Sequence, residues 1–369
     1  MLTVWAVDPG RVRRGGLEVL ECTVILREMD IGTWQVTVRD DELSRRVGEG
    51  WRVLVMDDGE EITSGRVLTY GGDEDGDAFT FAGEDDLADP AARLVYPDPS
   101  RSGEAQTSAA YYVRRGPAET VVRDMIHANA GTGAIASRRI AGFTVTASQG
   151  RGTEVSTNLR FKNLLEESRA LARLGGVTFS AIQEEDSRTV LRFREPRDLS
   201  RRVRFARGNG GLETGTWSVT APTVTSVLVA GQGQGTARTI EEHATDPGPW
   251  GLRIEQFQDR RDTDDAAELE QAGTETLAEG AESASASVST TELEGLRFGR
   301  DFLLGDTVLA DFGRAQIIEP VRAAELSWDG HGRTAKLTLG DHAQDEDQDP
   351  AWVKHVRALG RRQRGLETI

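Results

Sequence analysis

The stretch with the most chemical promise is residues 223–240, TVTSVLVAGQGQGTARTI, where an apolar run meets Gly231, Gly233 and Gly235 at every second position. A strand running into a glycine-rich loop is how nucleotide-binding proteins cradle a phosphate. This text departs from the G-x-G-x-x-G fingerprint, carries no Walker lysine, and TARTIEEHA lacks the amphipathic period that would aim a helix N-terminus at a pyrophosphate. Glycines supplying positive φ in a long hairpin or loop explain the spacing more simply. Asp73, Asp75 and Asp77 alternate like the first ligands of a calcium loop, but Ala78 stands where that loop needs glycine, so a solvated hairpin tip is expected. His127, His243, His331, His342 and His355 never fall at H-x-x-x-H or near a cysteine pair, which leaves zinc chemistry without support. No G-x-S-x-G elbow occurs, and the single Cys22 lies inside the strand-like run VLECTVIL. Among 61 acidic residues, carboxylate pairs are unavoidable and read as surface charge rather than a glycosidase dyad. No catalytic residue, cofactor or metal is therefore expected.

The elements that would position such groups are mostly strands. Before residue 84, TWQVTV, WRVLVM, ITSGRVLTY and AFTFAG alternate apolar and polar residues between turns, giving at least five strands and no helix of ordinary length. After the Pro- and Ser-punctuated segment near 97–103 the pattern turns mixed. Helices are expected from Pro117 to Gly131, from Ser156 to Gly176, and from Asp264 to Gly280 with Asp262 or Thr263 as cap. Strands return from residue 201 and again in TVLADF, AQIIEPVRAAELSWDG and RTAKLTLGD. The fold class expected is β-rich α+β: two antiparallel β-barrels with an inserted α/β portion. The division is 1–98 for the first barrel, 99–200 plus 236–284 for the α/β domain, 201–235 plus 285–341 for the second barrel, and 342–369 for an acidic spacer and basic terminal segment.

At 369 residues with 37% hydrophobic side chains the chain has ample core material. A net charge of −17 argues against nucleic acid as a direct ligand. The start MLTVWAVDPG lacks the charged and apolar regions of a signal peptide, and no 18-residue apolar run occurs, so a soluble chain made in the cytoplasm, without a membrane segment, is expected. The terminal segment is the best candidate interface: Trp352, Val356 and Leu359 share a helical face, with Arg357, Arg361 and Arg362 around it. An amphipathic basic helix of this kind docks on an acidic partner or a sister subunit, or packs on its own chain.

ITSGRV followed by FTFAGEDDLADPAARLVYP, with Gly65, Gly83, Leu87, Arg93 and Pro97, resembles a passage of the hub proteins of phage tail tips and contractile baseplates. NLLEESRALARLGGVTFSA, RGNGGLETGTWSV, VTSVLVAGQGQGTAR and FLLGDTVLADF resemble later text of that family, which includes the amino-terminal part of tail-associated lysins and type VI secretion spike proteins. The likeness is strongest to hub-type minor tail proteins of long-tailed actinobacterial phages. It implies a homotrimeric ring at the end of the tail tube, contacting tube or distal tail proteins and the spike or fibres, located in the virion tail tip or an injection-particle baseplate and without enzymatic activity. The rival is a glycan-binding, receptor-recognising β protein of the particle surface. Such a protein should expose a platform of aromatics, whereas Trp34 and Trp51 alternate like core residues.

Overall fold

A computed structural model describes residues 1–369 apart from 73–75, 185–187, 262, 291, 331, 341–348 and 365–369. The chain divides into two compact units, Met1–Thr216 with Ala286–Ile369, and Trp217–Ser285.

Unit 1 begins with seven strands, β1 (Leu2–Val7), β2 (Arg13–Leu17), β3 (Val19–Arg27), β4 (Asp30–Arg39), β5 (Arg52–Asp57), β6 (Glu60–Gly72) and β7 (Ala78–Asp85). Their period-2 pattern is realised as burial: Trp34, Val36 and Val38 of β4 are all fully enclosed, since alternate residues of a strand face one side. Cys22 is buried in β3, where burial pushes its thiol up to about 12. Of the aspartates in DEDGD, Asp73 and Asp75 lie outside the described residues.

A short helix α1 (Ala88–Ala91) leads into a mixed region of β8 (Tyr112–Pro117), α2 (Ala118–Asn129), β9 (Phe143–Val145), β10 (Glu154–Leu159), α3 (Leu164–Leu174), β11 (Thr178–Gln183) and β12 (Thr189–Arg194). Helix α2 follows Pro117 as its spacing predicts, and buries Val122, Met125 and Ile126 against Leu164, Leu165 and Ala172 of α3. Helix α3 starts eight residues later than its periodicity suggests. Residues 156–159 belong to β10, which pairs antiparallel with β8. The true start is Asn163, whose side chain accepts from the N–H of Leu165 at 2.9 Å and of Glu166 at 3.2 Å.

The chain continues through β13 (Arg204–Ala206) and β14 (Thr214–Thr220) to unit 2, which holds β15 (Ser226–Ala230), β16 (Ile240–Ala244), β17 (Glu255–Asp259) and α4 (Ala266–Glu279). Strand β15 lies between antiparallel β16 and parallel β17. Its inward residues Val227 and Val229 pack on Leu269 and Ala272 of α4. The cap of α4 is Asp265, which accepts from Ala267 N–H at 2.8 Å, in place of Thr263; Asp262 lies outside the described residues. GQGQG is the β15–β16 connection. Gly233 and Gly235 take φ of 110° and 56°, while Gly231 makes room: a Cβ there would come within 3.0 Å of Leu269 and 3.1 Å of the Thr263 carbonyl. Arg238 closes the loop by donating to the carbonyls of Ala230 at 2.7 Å and Gly231 at 2.8 Å. The loop is thus filled by its own chain, and a strand rather than a helix follows it.

The chain returns through β18 (Ser283–Thr290), β19 (Thr307–Asp311), β20 (Gln316–Asp329), β21 (Gly332–Leu339) and α5 (Ala351–Arg364). The main sheet has the order β14-β18-β21-β20-β3-β4-β7-β6-β5-β1-β2, with β19 joined to β20 and β13 to β19. The 14-residue β20 is long enough to pair with β19, β21 and β3, and its register with β3 runs from Ala323↔Arg27 to Trp328↔Cys22. Strands from the two ends of the chain therefore share one sheet, and among the described residues no sheet closes on itself.

Candidate partner interface

The structure places the terminal helix α5 on β4, β6 and β7 of its own unit. Val353, Val356 and Gly360, spaced three and four apart, form the buried stripe. Of the residues singled out in the sequence, Val356 is buried; Trp352, Arg357, Leu359 and Arg361 are half-buried; Arg362 is exposed. Gly360 is small for a reason: a Cβ there would overlap the Glu84 carboxyl group. Glu84, itself buried, receives both arms of the Arg364 guanidinium, one of them at 3.0 Å. Arg364 belongs to the basic set that the sequence marks around this helix, but its pairing with Glu84 is not legible there because the two are 280 residues apart; the available signal was a glycine inside an otherwise amphipathic helix.

Gly360→Leu should push α5 off this seat at a cost of about 1–3 kcal/mol, the usual range for overpacking. The check is hydrogen exchange: α5 amides lose protection while those of β3 and β4 keep it. Equal protection in both proteins would mean that the seat tolerates the added volume.

The N-terminal end of α5 borders a cleft of about 900 Å³ in unit 1. Its floor is one face of the sheet, carrying Ser287 and Ser289 of β18 beside Thr338 and Lys336 of β21, with Glu325 of β20 opposite Lys336. Residues directly opposite across a ladder share a face, so these polar groups stand together. Helix α3 contributes Arg169, 2.5 Å from Asp30, and Arg173, 3.5 Å from Glu28, which also pairs with Arg322. Arg357 of α5 donates to Asp349 at 2.9 Å. The same carboxylate is 3.4 Å from Arg27, whose guanidinium is only 5% exposed and whose charge burial disfavours.

A second cavity of about 730 Å³ contains carboxyl groups of opposite tendency. Burial pushes Glu61 up to about 7 and Asp85 up to about 8, although Gln183 N–H donates to Glu61 at 2.8 Å and those of Gly32 and Leu87 to Asp85 at 2.8 and 3.0 Å. Burial acts the same way on Asp57, but Arg297 at 2.8 Å and Arg333 at 2.7 Å prevail and hold it below the ordinary range. These carboxyls tie β5, β6 and β7 to neighbouring elements. Among the described residues, no group of three or more His, Cys, Asp or Glu is arranged to hold a metal ion, and no helix is long and apolar enough to cross a membrane.

The architecture is that of prophage tail proteins. It superposes on the 43 kDa tail protein of prophage MuSo2 from Shewanella oneidensis with a TM-score of 0.58 at 11% identity, covering 92% of this chain and 97% of that one. The prophage tail protein gp18 from Listeria monocytogenes EGD-e gives 0.58 at 12% identity over 97% and 98%, and a tail protein from Neisseria meningitidis MC58 gives 0.56 at 10% over 93% and 97%. The chain belongs to the family of Siphovirus ReqiPepy6 Gp37-like proteins, whose model matches residues 2–341. No curated protein sequence matches it.

Proposed function

We propose that this chain is a structural, non-enzymatic hub of a phage tail tip or related injection particle, assembled as a homotrimeric ring that closes the tail tube and connects it to the spike or fibres. The observation that carries the reading is the siphovirus family match across residues 2–341, with the end-to-end likeness in fold to prophage tail proteins beside it. Residues 1–98 and 201–235 with 285–341 are read as two barrel-like modules of that ring, although their strands, β15 apart, share one open sheet in the single chain. The non-enzymatic reading draws support from the use of the buried carboxylates: Glu84 is held by Arg364, and Asp306 by Arg194 and Arg197.

Imaging of assembled particles carrying a tagged copy of the chain tests this. Three copies are expected at the distal end of the tail; label on the capsid, or a chain absent from complete particles, overturns the reading. A monomer in free solution does not, because such assembly can require the partner. The glycan-binding alternative draws on Trp250, 43% exposed, and Phe257, 57% exposed, both in unit 2. It requires co-sedimentation with purified host-wall glycan, which Trp250→Ala abolishes; a chain that stays in the supernatant sinks it.

A further inference from the structure

Residues 93–163 run against the charge of the chain: they include twice as many Lys and Arg as Asp and Glu, in a protein of net charge −17. Asp98, Glu119, Asp124 and Glu154 are each held by an arginine of the same span, Arg101, Arg151, Arg123 and Arg115. The remaining cations pair with no carboxylate among the described residues. Arg93 donates to the Ala92 and Arg138 carbonyls, Arg114 to that of Val113, Arg139 to that of Ala134 and Arg160 to that of Ala110. Arg138 donates to Asn129 Oδ1 and the Leu94 carbonyl, and Lys162 is exposed. The segments that carry these groups lie side by side: Leu94 bridges Asn163, the Phe161 N–H donates to the Val95 carbonyl at 2.9 Å, and Tyr112 stands opposite Leu159. They leave Leu94, Tyr111, Val113 and Phe161 between 39% and 56% exposed. Cations and rings are stacked together here, with Arg138 3.6 Å from the Tyr96 ring centre, Tyr96 meeting Phe161 edge-on at 5.8 Å, and Arg160 4.9 Å from the Phe161 ring centre. Phe161 has a φ of 53°, which a bulky residue holds only where its surroundings impose it.

We propose that this basic, aromatic patch docks on a second copy of the chain, against the acidic face of its helix α4. That face offers what the patch lacks. Unit 2 has Arg238, Arg253, Arg260 and Arg261 as its only cations, and its Asp and Glu outnumber them by more than three to one. Helix α4 carries Glu268, Glu270, Glu275 and Glu279 and no Lys or Arg, and none of these carboxylates makes an ion pair among the described residues. Glu270 and Glu279 are exposed, as are the small residues Ala266, Thr274 and Ala278. Positions 266, 270, 274 and 278 recur at helical spacing on one face, so the rings of Tyr111 and Phe161 can approach the small residues while Arg114, Arg160 and Lys162 reach the carboxylates. An apolar centre with a charged rim, rich in Arg and aromatic residues, is the usual make-up of a protein interface. A long polyanion such as nucleic acid would run off the patch onto the acidic remainder of the chain. A folded copy meets the patch with one face, and most of its other charge lies beyond a Debye length of about 8 Å. Two different faces meet, so the contact runs head to tail and repeats until it closes. Closure into a ring of three rests on the proposed function; the pairing of the two faces does not.

The experiment is zero-length carbodiimide cross-linking of the full chain, with ordinary and nitrogen-15-labelled protein mixed in equal amounts and the joined peptides read by mass spectrometry. Mixed-label peptides linking Lys162 to Glu270 or Glu279 are expected, and their yield should fall at least about fivefold between about 50 and 300 mM NaCl. Arg114→Glu combined with Arg160→Glu, on exposed side chains, should lower that yield at least about tenfold without altering the melt. Adding protein that carries Glu270→Lys and Glu279→Lys should restore linkage between the two variants, although neither links to itself. No mixed-label link at the highest soluble concentration, links confined to a single label, or links indifferent to charge reversal overturn the proposal. Retention of a double-stranded DNA oligonucleotide through Arg114 and Arg160 overturns it in favour of nucleic acid. Mixed-label links in a chain absent from tail tips would keep the contact and remove the hub; a chain at the tail tip without such links would do the reverse.

Discussion

Asp306→Ala is expected to lower the unfolding free energy by about 2–3 kcal/mol, the cost of orphaning the donors that a buried carboxylate satisfies, kept below that of a fully buried pair because Arg194 and Arg197 are 30% and 50% exposed. Asp306 is completely enclosed. Its Oδ1 accepts from Arg194 at 2.7 Å and from the Arg197 N–H at 3.0 Å; its Oδ2 accepts from the Arg197 guanidinium at 2.6 Å and from the Leu303 N–H at 3.0 Å. The carboxylate therefore joins the end of β12 to the turn before β19. Alanine would leave these donors facing a void. Burial by itself pushes the Asp306 carboxyl up, but Arg197 and Arg194 outweigh it and hold the group below its ordinary value. A carboxylate with a depressed folded value contributes stability that is present above its unfolded value, about 3.9, and is lost as pH falls through the folded value. Denaturant titrations should thus show the full gap between wild type and variant at pH 7 and a smaller gap near pH 3. Coincident curves at pH 7 would show that the network adds nothing.

The turn that carries Asp306 also shows how far the sequence could be read. FLLGD stood out as text, and the strand after it was evident from TVLADF. What it grips was not, because Arg194 and Arg197 lie more than a hundred residues upstream and 44 Lys and Arg offered many equivalent partners. The same limit applies to α5. Its amphipathic character is legible from spacing, but a 14-residue helix with apolar groups at 352, 353, 356 and 359 has two overlapping faces. Which of them is seated depends on Gly360 meeting Glu84. GQGQG was legible as a loop because its local text lacked phosphate-site chemistry. The cleft beside α5 was not, since among the described residues it gathers side chains from β3, α3, β18, β20, β21 and α5. Local periodicity reports elements; the sites depend on pairings between strands from opposite ends of the chain.

Gly83→Ala is expected to cost at least about 3 kcal/mol, at or above the upper end of overpacking effects, although it adds a single methyl group. Strands β6 and β7 run in register with Val67 opposite Gly83 and Gly65 opposite Asp85. At both glycines the neighbouring backbone occupies the space of a side chain: a Cβ on Gly83 would overlap the Arg66 carbonyl, and one on Gly65 the Glu84 carbonyl. Neither glycine has positive φ, so close approach rather than backbone conformation demands them. The Gly83 Cβ would also come within 2.6 Å of the Trp34 ring. That ring is fully buried and donates its Nε1–H to the Glu84 carbonyl at 3.2 Å. The methyl can be accommodated only by parting the strands, which sacrifices ladder hydrogen bonds, or by displacing the largest side chain in the sheet core. Gly71→Ala on the same β6 is the control, because a Cβ there meets nothing within 4 Å; it should change stability by no more than about 0.5 kcal/mol, as for an ordinary surface substitution. Since Glu84 follows Gly83 directly, the damage should also reach the seat of α5, and amide exchange in α5 should quicken in Gly83→Ala but not in Gly71→Ala. If the two variants melt together, the close approach of β6 and β7 is not what requires glycine in this passage.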